Sequence, residues 1–404
     1  MREVLTFILA GGKGERLNPL TRDRAKPAVP FGGIYRIIDF TLSNCVNSGL
    51  RKIYVLTQYK SFSLQKHLLA GWDDVVSTQL GEFIDVIPAQ QRIGNEWYLG
   101  TADAIYQNIY SIEDNSPEMV LILAGDHIYR MDYSSMVKFH RDNKADMTVA
   151  CVTMPKKYST NFGVIEVDKS QCVKGFEEKP KSPKTIPGKA QMIYASMGIY
   201  LFDTRVLSKE LEVDSKINES RHDFGRDIIP QMLKRHKKIL AYDFVDNKGK
   251  SSYWRDIGTR DAYYEANMDL VSDHPEFDLY DRSWPVRTYH AQYPPIRVEN
   301  CKDKRGEIIN SMVSGGCLIK GATVERSILS PTVKVHEGSE VRNSIIMENV
   351  TIGKNAKIKN AIIDKQVTVP PNTQIGYDQK SDMKRFVLTT EGIVIVPKKF
   401  AIED

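Results

Sequence analysis

A glycine-rich turn near the start of the chain carries the first residues that could do chemistry. Residues 7–10 are typical of a buried strand, and they run directly into Gly11-Gly12-Lys13-Gly14-Glu15-Arg16. Glycines at the end of a strand let the backbone approach a ligand closely, and successive backbone N–H groups can surround phosphate oxygens. By itself the turn fits a tight structural turn as well as it fits a phosphate site.

Cations close to this turn favour the phosphate interpretation. A Walker A loop is excluded because its Gly-Lys-Ser/Thr ending is missing, and Leu17 stands where a dinucleotide-binding fingerprint needs its third glycine. Arg16, Arg24 and Lys26 lie within or shortly after the turn. A triphosphate needs such cations because negative charge builds up on the departing pyrophosphate. The alternative is that they are solvated surface charges.

Carboxylates follow later in the chain. Asp126 comes just after the apolar run at residues 119–124, where α/β sheets bind ligands. It could be an oxygen ligand for Mg²⁺, and Asp256 could complete the site, although sequence distance alone cannot pair the two. His127 is expected in a neutral hydrogen-bonding role. Residues 176–180 offer a carboxylate for sugar hydroxyls and a lysine for a phosphate, but their composition alone favours a charged turn.

The elements that must position these residues alternate along the first 270 residues. Apolar runs at 6–10, 52–57 and 119–124 predict strands, and helical patterns cover 39–48, 101–111 and 133–143. Short apolar runs separated by helices predict βαβ units around a mostly parallel sheet, and therefore an α/β fold.

The residue pattern of the sequence changes after residues 274–295, whose prolines predict a stiff linker. Beyond it, aliphatic residues recur every six positions, as in Ile346, Ile352 and Ile358. This period is typical of the hexapeptide repeats of a parallel β-helix, and the alternative is an irregular β-rich domain. We predict a catalytic domain at 1–272, a linker at 273–295 and a β-helix at 296–404.

Composition excludes several classes of protein. The 404 residues carry a net charge of +5, without a dense basic stripe interleaved with aromatics, so we expect no nucleic-acid partner. No apolar run reaches the eighteen or so residues of a membrane span. The five cysteines are dispersed, without metal-ligand spacing, as expected of packing thiols in a reducing cytosol. We therefore expect a cytoplasmic protein that binds small phosphorylated partners.

Longer motifs resemble those of the bacterial glucose-1-phosphate adenylyltransferases, also called ADP-glucose pyrophosphorylases, over essentially the whole chain. The most specific stretches are residues 24–29, Arg-Ala-Lys-Pro-Ala-Val, and residues 97–104, Trp-Tyr-Leu-Gly-Thr-Ala-Asp-Ala. The glycine-rich turn and the Glu-Lys-Pro of residues 178–180 are similar to sugar nucleotidyltransferases generally.

This resemblance implies a Rossmann-like (GT-A-like) domain followed by a left-handed parallel β-helix, assembled as a homotetramer. It implies the transfer of AMP from ATP to α-D-glucose 1-phosphate with Mg²⁺, giving ADP-glucose and pyrophosphate. The sugar phosphate, already an anion, would attack the α-phosphorus in line with the leaving group. The implied catalytic residues are Arg16, Lys26 and Asp126. The implied ATP-binding residues are Gly11, Gly12, Gly14, Arg16, Lys26 and Gln90. The implied glucose 1-phosphate ligands are Tyr98, Gly163, Glu178, Lys179 and Ser196, and the implied metal ligands are Asp126 and Asp256.

Several alternatives stay open at this stage. The same chemistry could use another nucleotide or another sugar 1-phosphate, the β-helix could carry an acyltransferase site around His336, or the chain could be a non-catalytic regulatory subunit. Small effectors are expected at the domain interface. Strong activation by fructose 1,6-bisphosphate is not expected, because Asp23 and Pro30 replace a lysine and a histidine of the responsive relatives, although Arg36 is kept.

Overall fold

The structure, a computed structural model, describes residues 1–90, 97–246 and 249–402. The N-terminal strands are β1 (Val4–Leu9), β2 (Pro30–Phe31), β3 (Tyr35–Arg36), β4 (Lys52–Thr57), β5 (Phe83–Pro88), β6 (Met119–Ala124), β7 (His127–Tyr129), β8 (Met147–Pro155), β9 (Gly163–Val167), β10 (Val173–Glu178), β11 (Met192–Asp203), β12 (Ile239–Asp243) and β13 (Trp254–Asp256). The helices are α1 (Ile37–Asn47), α2 (Phe62–Gly71), α3 (Thr101–Tyr106), α4 (Ile109–Asn115), α5 (Tyr133–Asp142), α6 (Thr204–Asp214), α7 (Ile229–Lys234) and α8 (Arg260–Asp269).

Nine of these strands form one twisted sheet in the order β10-β9-β11-β6-β1-β4-β5, with β8 beside β11 and β12 beside β8. Strands β6, β1, β4 and β5 run parallel, as predicted. The expectation of a mostly parallel sheet is wrong for the other half, where β11 pairs antiparallel with β6, β8 and β9. Antiparallel neighbours need no helical crossover, so loops and a 3₁₀ segment at Lys156–Asn161 connect β8, β9, β10 and β11 in place of the βαβ pattern.

The central strand explains why the sheet is buried on both faces. Val4 and Ile8 of β1 pack in one apolar cluster, and Leu5 and Phe7 pack in a second. Alternate residues of a strand point to opposite faces, so each cluster covers one face of the sheet. This is why β6 is a continuous apolar run and β1 is apolar apart from the buried Thr6, without the alternation that would mark a solvent face.

One predicted helix differs from the structure in an informative way. The pattern at residues 101–111 forms two short helices, α3 and α4, with a break at Gln107 and Asn108. The Asn108 side chain donates to the carbonyl of Ala104 at 2.8 Å and to the Tyr98 hydroxyl at 2.9 Å. Asparagine side chains compete with the helical hydrogen-bond pattern, so the break follows from this residue.

The proline-rich segment after α8 lies against α1. Trp284 Nε1 donates to Asn44 Oδ1 at 2.9 Å, and Thr288 Oγ1 donates to Asp39 Oδ2 at 2.6 Å. The Asp39 carboxylate is fully buried, and its Oδ1 also pairs with His67 Nε2 at 2.7 Å and accepts a hydrogen bond from Trp72 Nε1 at 3.0 Å. The segment is therefore fixed to the catalytic region by buried polar contacts.

The C-terminal region is a coil of short parallel strands arranged in three sheets. These strands are β14 (Arg297–Glu299), β15 (Glu307–Ile309), β16 (Met312–Val313), β17 (Leu318–Lys320), β18 (Thr323–Glu325), β19 (Ile328–Leu329), β20 (Lys334–Val335), β21 (Glu340–Arg342), β22 (Ile345–Ile346), β23 (Thr351–Ile352), β24 (Lys357–Lys359), β25 (Ala361–Ile363), β26 (Thr368–Val369), β27 (Gln374–Ile375), β28 (Val387–Leu388) and β29 (Val394–Val396). A short helix, α9 (Gln379–Arg385), lies between β27 and β28.

The aliphatic residues that recur every six positions line the interior of this coil. Ile346, Ile352 and Ile358 lie on three successive sides and are each fully buried. In the vertical direction, Ile328 pairs with Ile345, and Ile345 pairs with Ile362, which stacks equivalent positions of successive coils. The predicted β-helix is confirmed.

An apolar interface joins the β-helix to the catalytic region. Phe31 and Ile128 from the N-terminal part share one buried cluster with Ile345, Ile362 and Ile395 of the β-helix. Burial of this surface holds the two parts together through the hydrophobic effect. The boundaries at residues 272 and 295 stay predictions.

Candidate active site

The parallel half of the sheet brings the predicted nucleotide residues to one edge. Leu9 at the end of β1 is paired with Ala124 at the end of β6, and the Gly125 N–H donates to the Leu9 carbonyl at 3.1 Å. The glycine-rich turn and Asp126 therefore lie side by side at the carboxyl edge, where α/β sheets bind ligands.

Two glycines of the turn have different physical roles. Gly14 has a φ of +65°, and a Cβ placed on it would lie 3.0 Å from the Lys26 Cβ, so the turn packs directly on that lysine. Gly12 has nothing within 4 Å of a built Cβ. It faces a cavity of about 460 Å³, whose lining includes Gly12, Gly14, Arg16, Lys26, Asp126 and Gly258.

Lys26 lies at the centre of the charged residues. Its Nζ is 2.7 Å from Asp126 Oδ2 and 3.6 Å from Asp256 Oδ1. Lysines are almost never fully buried unless they are paired, and this side chain is 9% exposed. Asp256 reaches the cluster because β13 pairs antiparallel with β7, which sets Asp256 opposite His127. The structure thus brings together two aspartates that the sequence could not pair.

The electrostatics of the cluster favour ionised carboxylates. Burial alone would raise the pKa of Asp126, but the charges of Lys26, His127 and Arg16 outweigh burial and lower it well below its ordinary value. His127 Nε2 is 3.5 Å from Asp126 Oδ1 and 3.7 Å from Asp256 Oδ1. Asp126 is consequently a carboxylate, and not an acid, throughout the physiological pH range.

Gly258 is a site residue that the sequence reasoning did not single out. A Cβ on it would lie 2.8 Å from Asp256 Oδ2 and 3.4 Å from Arg16 Nη2. A larger residue would push apart the arginine and the carboxylate, so glycine allows Arg16 to approach the charged cluster. Its position two residues after the carboxylate that ends β13 is the local signal that could have identified it.

The donor set fits a hard divalent cation. Asp126 and Asp256 offer carboxylate oxygens, and magnesium sites typically combine one or two carboxylates with substrate phosphates and waters. Within residues 1–90, 97–246 and 249–402, no group of three or more His, Cys, Asp or Glu side chains forms an all-protein metal cage. His127 Nδ1 is buried and has no hydrogen-bond partner among these residues. The residues therefore suit a divalent cation whose remaining ligands are phosphate oxygens and waters.

The predicted sugar residues lie on the antiparallel half of the sheet. Glu178 ends β10, and the adjacent Lys179 has a φ of +52°, which turns its Nζ to 3.2 Å from Glu178 Oε1. The charged-turn interpretation of residues 176–180 is therefore wrong for its first three residues, which belong to a strand. A Cβ on Gly163 would lie only 2.4 Å from Phe176 Cζ and 3.1 Å from Glu178 Oε2, so this glycine allows the close packing beside the carboxylate.

The remaining predicted residues lie apart from one another, and Gln90 lies at the far edge of the parallel half. Burial raises the pKa of Tyr98, whose hydroxyl accepts a hydrogen bond from Asn108. Ser196 Oγ accepts a hydrogen bond from the Gly198 N–H at 3.3 Å, at an irregularity within β11 that approaches the His127 ring. Gln90 is exposed at the carboxyl end of β5. It lies two strands, or about 10 Å, from β1.

The segment of residues 220–226 completes this half and was missed by the sequence reasoning; it is a loop that leads into a π-helical turn at Phe224–Ile228. Asp223 Oδ2 accepts a hydrogen bond from Thr101 Oγ1 at 3.0 Å, which ties the loop to the start of α3. A Cβ on Gly225 would lie 2.8 Å from Phe176 Cε1, so Gly163 and Gly225 both pack on one aromatic ring. This arrangement depends on packing between segments that are far apart in sequence, and no local motif predicts it.

Comparison with known proteins identifies the family. Residues 5–273 match the model of the nucleotidyl transferase family, and residues 294–396 match the GlmU-like, C-terminal hexapeptide family. The chain is 54% identical to glucose-1-phosphate adenylyltransferase 1 of Vibrio cholerae over 402 residues, covering 98% of each chain. It is 50% identical to glucose-1-phosphate adenylyltransferase of Koribacter versatilis over 405 residues, covering 100% of this chain and 97% of the relative.

The chain belongs to the glucose-1-phosphate adenylyltransferase family. This membership confirms the predicted family, the predicted enzyme class of nucleotidyltransferase, and the combination of a Rossmann-like domain with a left-handed β-helix. No helix in the described parts of the chain is long and apolar enough to cross a membrane. The individual roles of the site residues stay predictions.

Proposed function

We propose that the chain transfers AMP from ATP to α-D-glucose 1-phosphate, giving ADP-glucose and pyrophosphate, the activating step of glycogen or other α-glucan synthesis. The observation that carries this proposal is the cluster of Lys26, Asp126 and Asp256 beside the glycine-rich turn. The names of the full-length relatives support the same reaction.

The nucleotide would bind in the cavity at the end of β1. The backbone N–H groups of Gly11, Gly12 and Gly14 would meet phosphate oxygens, and Arg16 and Lys26 would stabilise the charge that develops on pyrophosphate. Gln90, at the far edge of the sheet, would lie toward the base.

Glucose 1-phosphate would bind on the antiparallel half. Glu178 would accept hydrogen bonds from sugar hydroxyls, and Lys179 would hold the phosphate as a charge-assisted donor. Tyr98, Gly163 and Ser196 would shape the remaining walls. Two ligands held in fixed register convert a bimolecular step into an effectively unimolecular one.

The chemical step follows from the charge of the substrates. A phosphate oxygen of the sugar phosphate, already anionic, would form the new bond to the α-phosphorus while the bond to pyrophosphate breaks. No general base is needed because no proton has to leave the nucleophile. Asp126 and Asp256 would hold Mg²⁺, which supplies electrostatic stabilisation of the phosphate charges when it is bound.

The activity is tested by measuring pyrophosphate release from glucose 1-phosphate and Mg²⁺, with ATP, UTP, GTP and dTTP in parallel. We expect a strong preference for ATP. Preference for another nucleotide would keep the residue roles and change the product. The absence of turnover with all four, in folded protein, would favour a regulatory subunit, and acetyl transfer without nucleotide turnover would favour the site around His336.

The assembly, regulation and location of the enzyme belong to the same proposal. We propose a cytoplasmic homotetramer, which sedimentation would test. We also propose an anionic effector in a cavity of about 870 Å³ between the two domains, whose lining includes Arg36, Lys365 and Glu348. Two cations face one carboxylate there, and Lys365 Nζ is 2.7 Å from Glu348 Oε2. Fructose 1,6-bisphosphate should activate weakly, because Asp23 and Pro30 add no positive charge.

A further inference from the structure

A buried ion pair crosses from the β-helix to the nucleotide half of the site. Arg24 Nη2 lies 2.7 Å from Oδ1 and 2.6 Å from Oδ2 of Asp364. The side chains are 5% and 0% exposed, and the two residues are 340 positions apart in sequence. The contact therefore exists only when the two domains are docked.

The pair is buried close to the Tyr263 ring, and Arg36 and Lys365 are near enough to interact electrostatically with Arg24. The interface cluster near it contains Val29, Ile362 and Ile395, all fully buried. A buried ion pair in such surroundings contributes little net stability, because the cost of removing two charges from water offsets their attraction. The directional hydrogen bonds of the pair can nevertheless specify one arrangement of the chain. We therefore expect the ion pair to fix the position of the residues around Arg24, more than to add to the stability of the protein.

The residue that would be positioned is Lys26. Arg24 precedes it by two residues, and a 3₁₀ turn begins at Lys26 itself. Lys26 Nζ meets Asp126 at 2.7 Å, and the Gly14 turn packs on its Cβ. A shift of the backbone at Arg24 would consequently move both the lysine and the wall of the phosphate cavity.

Asp364 is itself held firmly in the coil. Its N–H donates to the Val396 carbonyl at 3.0 Å, and its Oδ1 accepts from the Lys365 N–H at 2.7 Å. It directly follows β25, within the stacked strands of one sheet. A second contact acts on the same segment, because Arg22 Nη2 donates to the Lys398 carbonyl at 2.9 Å. The β-helix thus offers a rigid fixed point for residues 22–26.

We propose that Asp364 is a positioning residue for the nucleotide half of the active site, acting through Arg24 on Lys26. The inference rests on the proposed function for the identity of the nucleotide. On this view the β-helix is part of the machinery that sets the geometry of the phosphate cavity, even though none of its side chains is assigned to either substrate.

The test is the Asp364→Asn variant in the full chain. We expect its affinity for ATP with Mg²⁺, measured by calorimetry without glucose 1-phosphate, to fall at least tenfold. The KM for glucose 1-phosphate should stay within twofold of the original. A folded variant whose ATP affinity changes less than twofold would overturn the proposal, and so would equal losses for both substrates.

A second variant guards against misfolding of the first. Asp364→Asn leaves the Arg24 charge buried without its partner, which destabilises a protein strongly. The double variant Arg24→Met with Asp364→Leu removes both charges and keeps the site apolar. We expect it to fold and still to bind ATP at least fivefold more weakly, because apolar contacts are not directional. Unchanged ATP affinity in the double variant would contradict the role of the ion pair.

A matched control comes from another hydrogen bond across the same interface. Tyr264 Oη donates to the Asn343 carbonyl at 2.7 Å, away from residues 22–26. Tyr264→Phe should change ATP affinity less than twofold. ATP binding is measured without turnover, so this test does not depend on the proposed reaction. If the original protein binds ATP but releases no pyrophosphate, the proposed function is contradicted. The role of Asp364 is then still decided by the ATP affinities of the variants.

Discussion

The two proposed halves of the active site are built on different principles. The proposed nucleotide half takes Gly12, Arg16 and Lys26 from one short stretch and adds Asp126, which follows the neighbouring parallel strand. The proposed sugar half collects its residues from β9, β10 and β11 and from two loops that are far apart in sequence. Phosphates can be recognised by charge and by successive backbone N–H groups, whereas a sugar needs hydrogen-bond partners from several directions. The first kind of site fits in a contiguous motif, and the second requires a folded sheet.

Removal of a carboxylate from the nucleotide half should have the largest effect on turnover. We expect Asp126→Asn to lower kcat roughly 10²–10³-fold, as when one group that stabilises transition-state charge is removed. The KM for glucose 1-phosphate should change little, because the sugar half is intact. Steady-state kinetics with both substrates measure the difference. Near-normal kcat would contradict the assignment of Asp126 as a metal ligand.

Removal of a cation from the sugar half should instead weaken the binding of glucose 1-phosphate much more than the binding of ATP. Lys179→Met is expected to raise the KM for glucose 1-phosphate roughly ten- to a hundredfold, since a hydrogen bond to a charged group is worth about 1.5–3 kcal/mol. The KM for ATP should stay within about threefold, a factor that corresponds to less than 1 kcal/mol. The neighbouring Lys181→Met is a suitable control, because Lys181 is exposed and has no predicted role. A larger rise in the KM for ATP would show that the halves are wrongly divided.

Two glycine variants sharpen the same comparison at the level of shape. Gly163→Ala would bring a methyl group to 2.4 Å from the Phe176 ring, so the ring must move, and we expect a weaker fit for glucose 1-phosphate together with lower stability. Gly12→Ala adds a methyl group with nothing within 4 Å, so stability should be unchanged while ATP binding weakens. Thermal unfolding and the two KM values measure these outcomes. Equal changes in both KM values for either variant would contradict the separation.

The smallest effect on the site should come from a titrating residue outside it. Burial lowers the pKa of His140 to about 4, and its ring pairs with Thr148 Oγ1 at 2.8 Å. Between pH 6.5 and 4 the unfolded chain binds the proton that the folded chain refuses, so stability should fall as the pH falls, by up to about 3 kcal/mol.

His140→Asn should remove most of this dependence, as measured by denaturant unfolding at pH 7 and pH 5. At pH 7 the ratio of the KM for ATP to the KM for glucose 1-phosphate should be the same in His140→Asn and in the original protein, because His140 lies in neither half of the site. A pH dependence that survives the substitution would assign it to other groups.

The sequence by itself determined the elements and residues that are encoded locally. The parallel strands β1, β4 and β6 were predicted from short runs that are mostly apolar, because strands buried on both faces carry few polar side chains. The β-helix was predicted from a six-residue period, since each side of a coil must turn one aliphatic side chain inward. The glycine-rich turn and Asp126 were identified because they follow the ends of these strands, and Arg16 and Lys26 because they are cations close to the turn in sequence.

Only the tertiary structure decided which distant residues meet. Asp256 joins Asp126 because β13 pairs with β7, and Gly225 and Gly163 contact the same Phe176 ring because the π-helical turn at Phe224–Ile228 packs against β10. Asp364 reaches Arg24 through the docking of the β-helix. These contacts depend on pairing and packing between segments that no local pattern links, and a carboxylate in a sequence carries no signal of the partner that it will find.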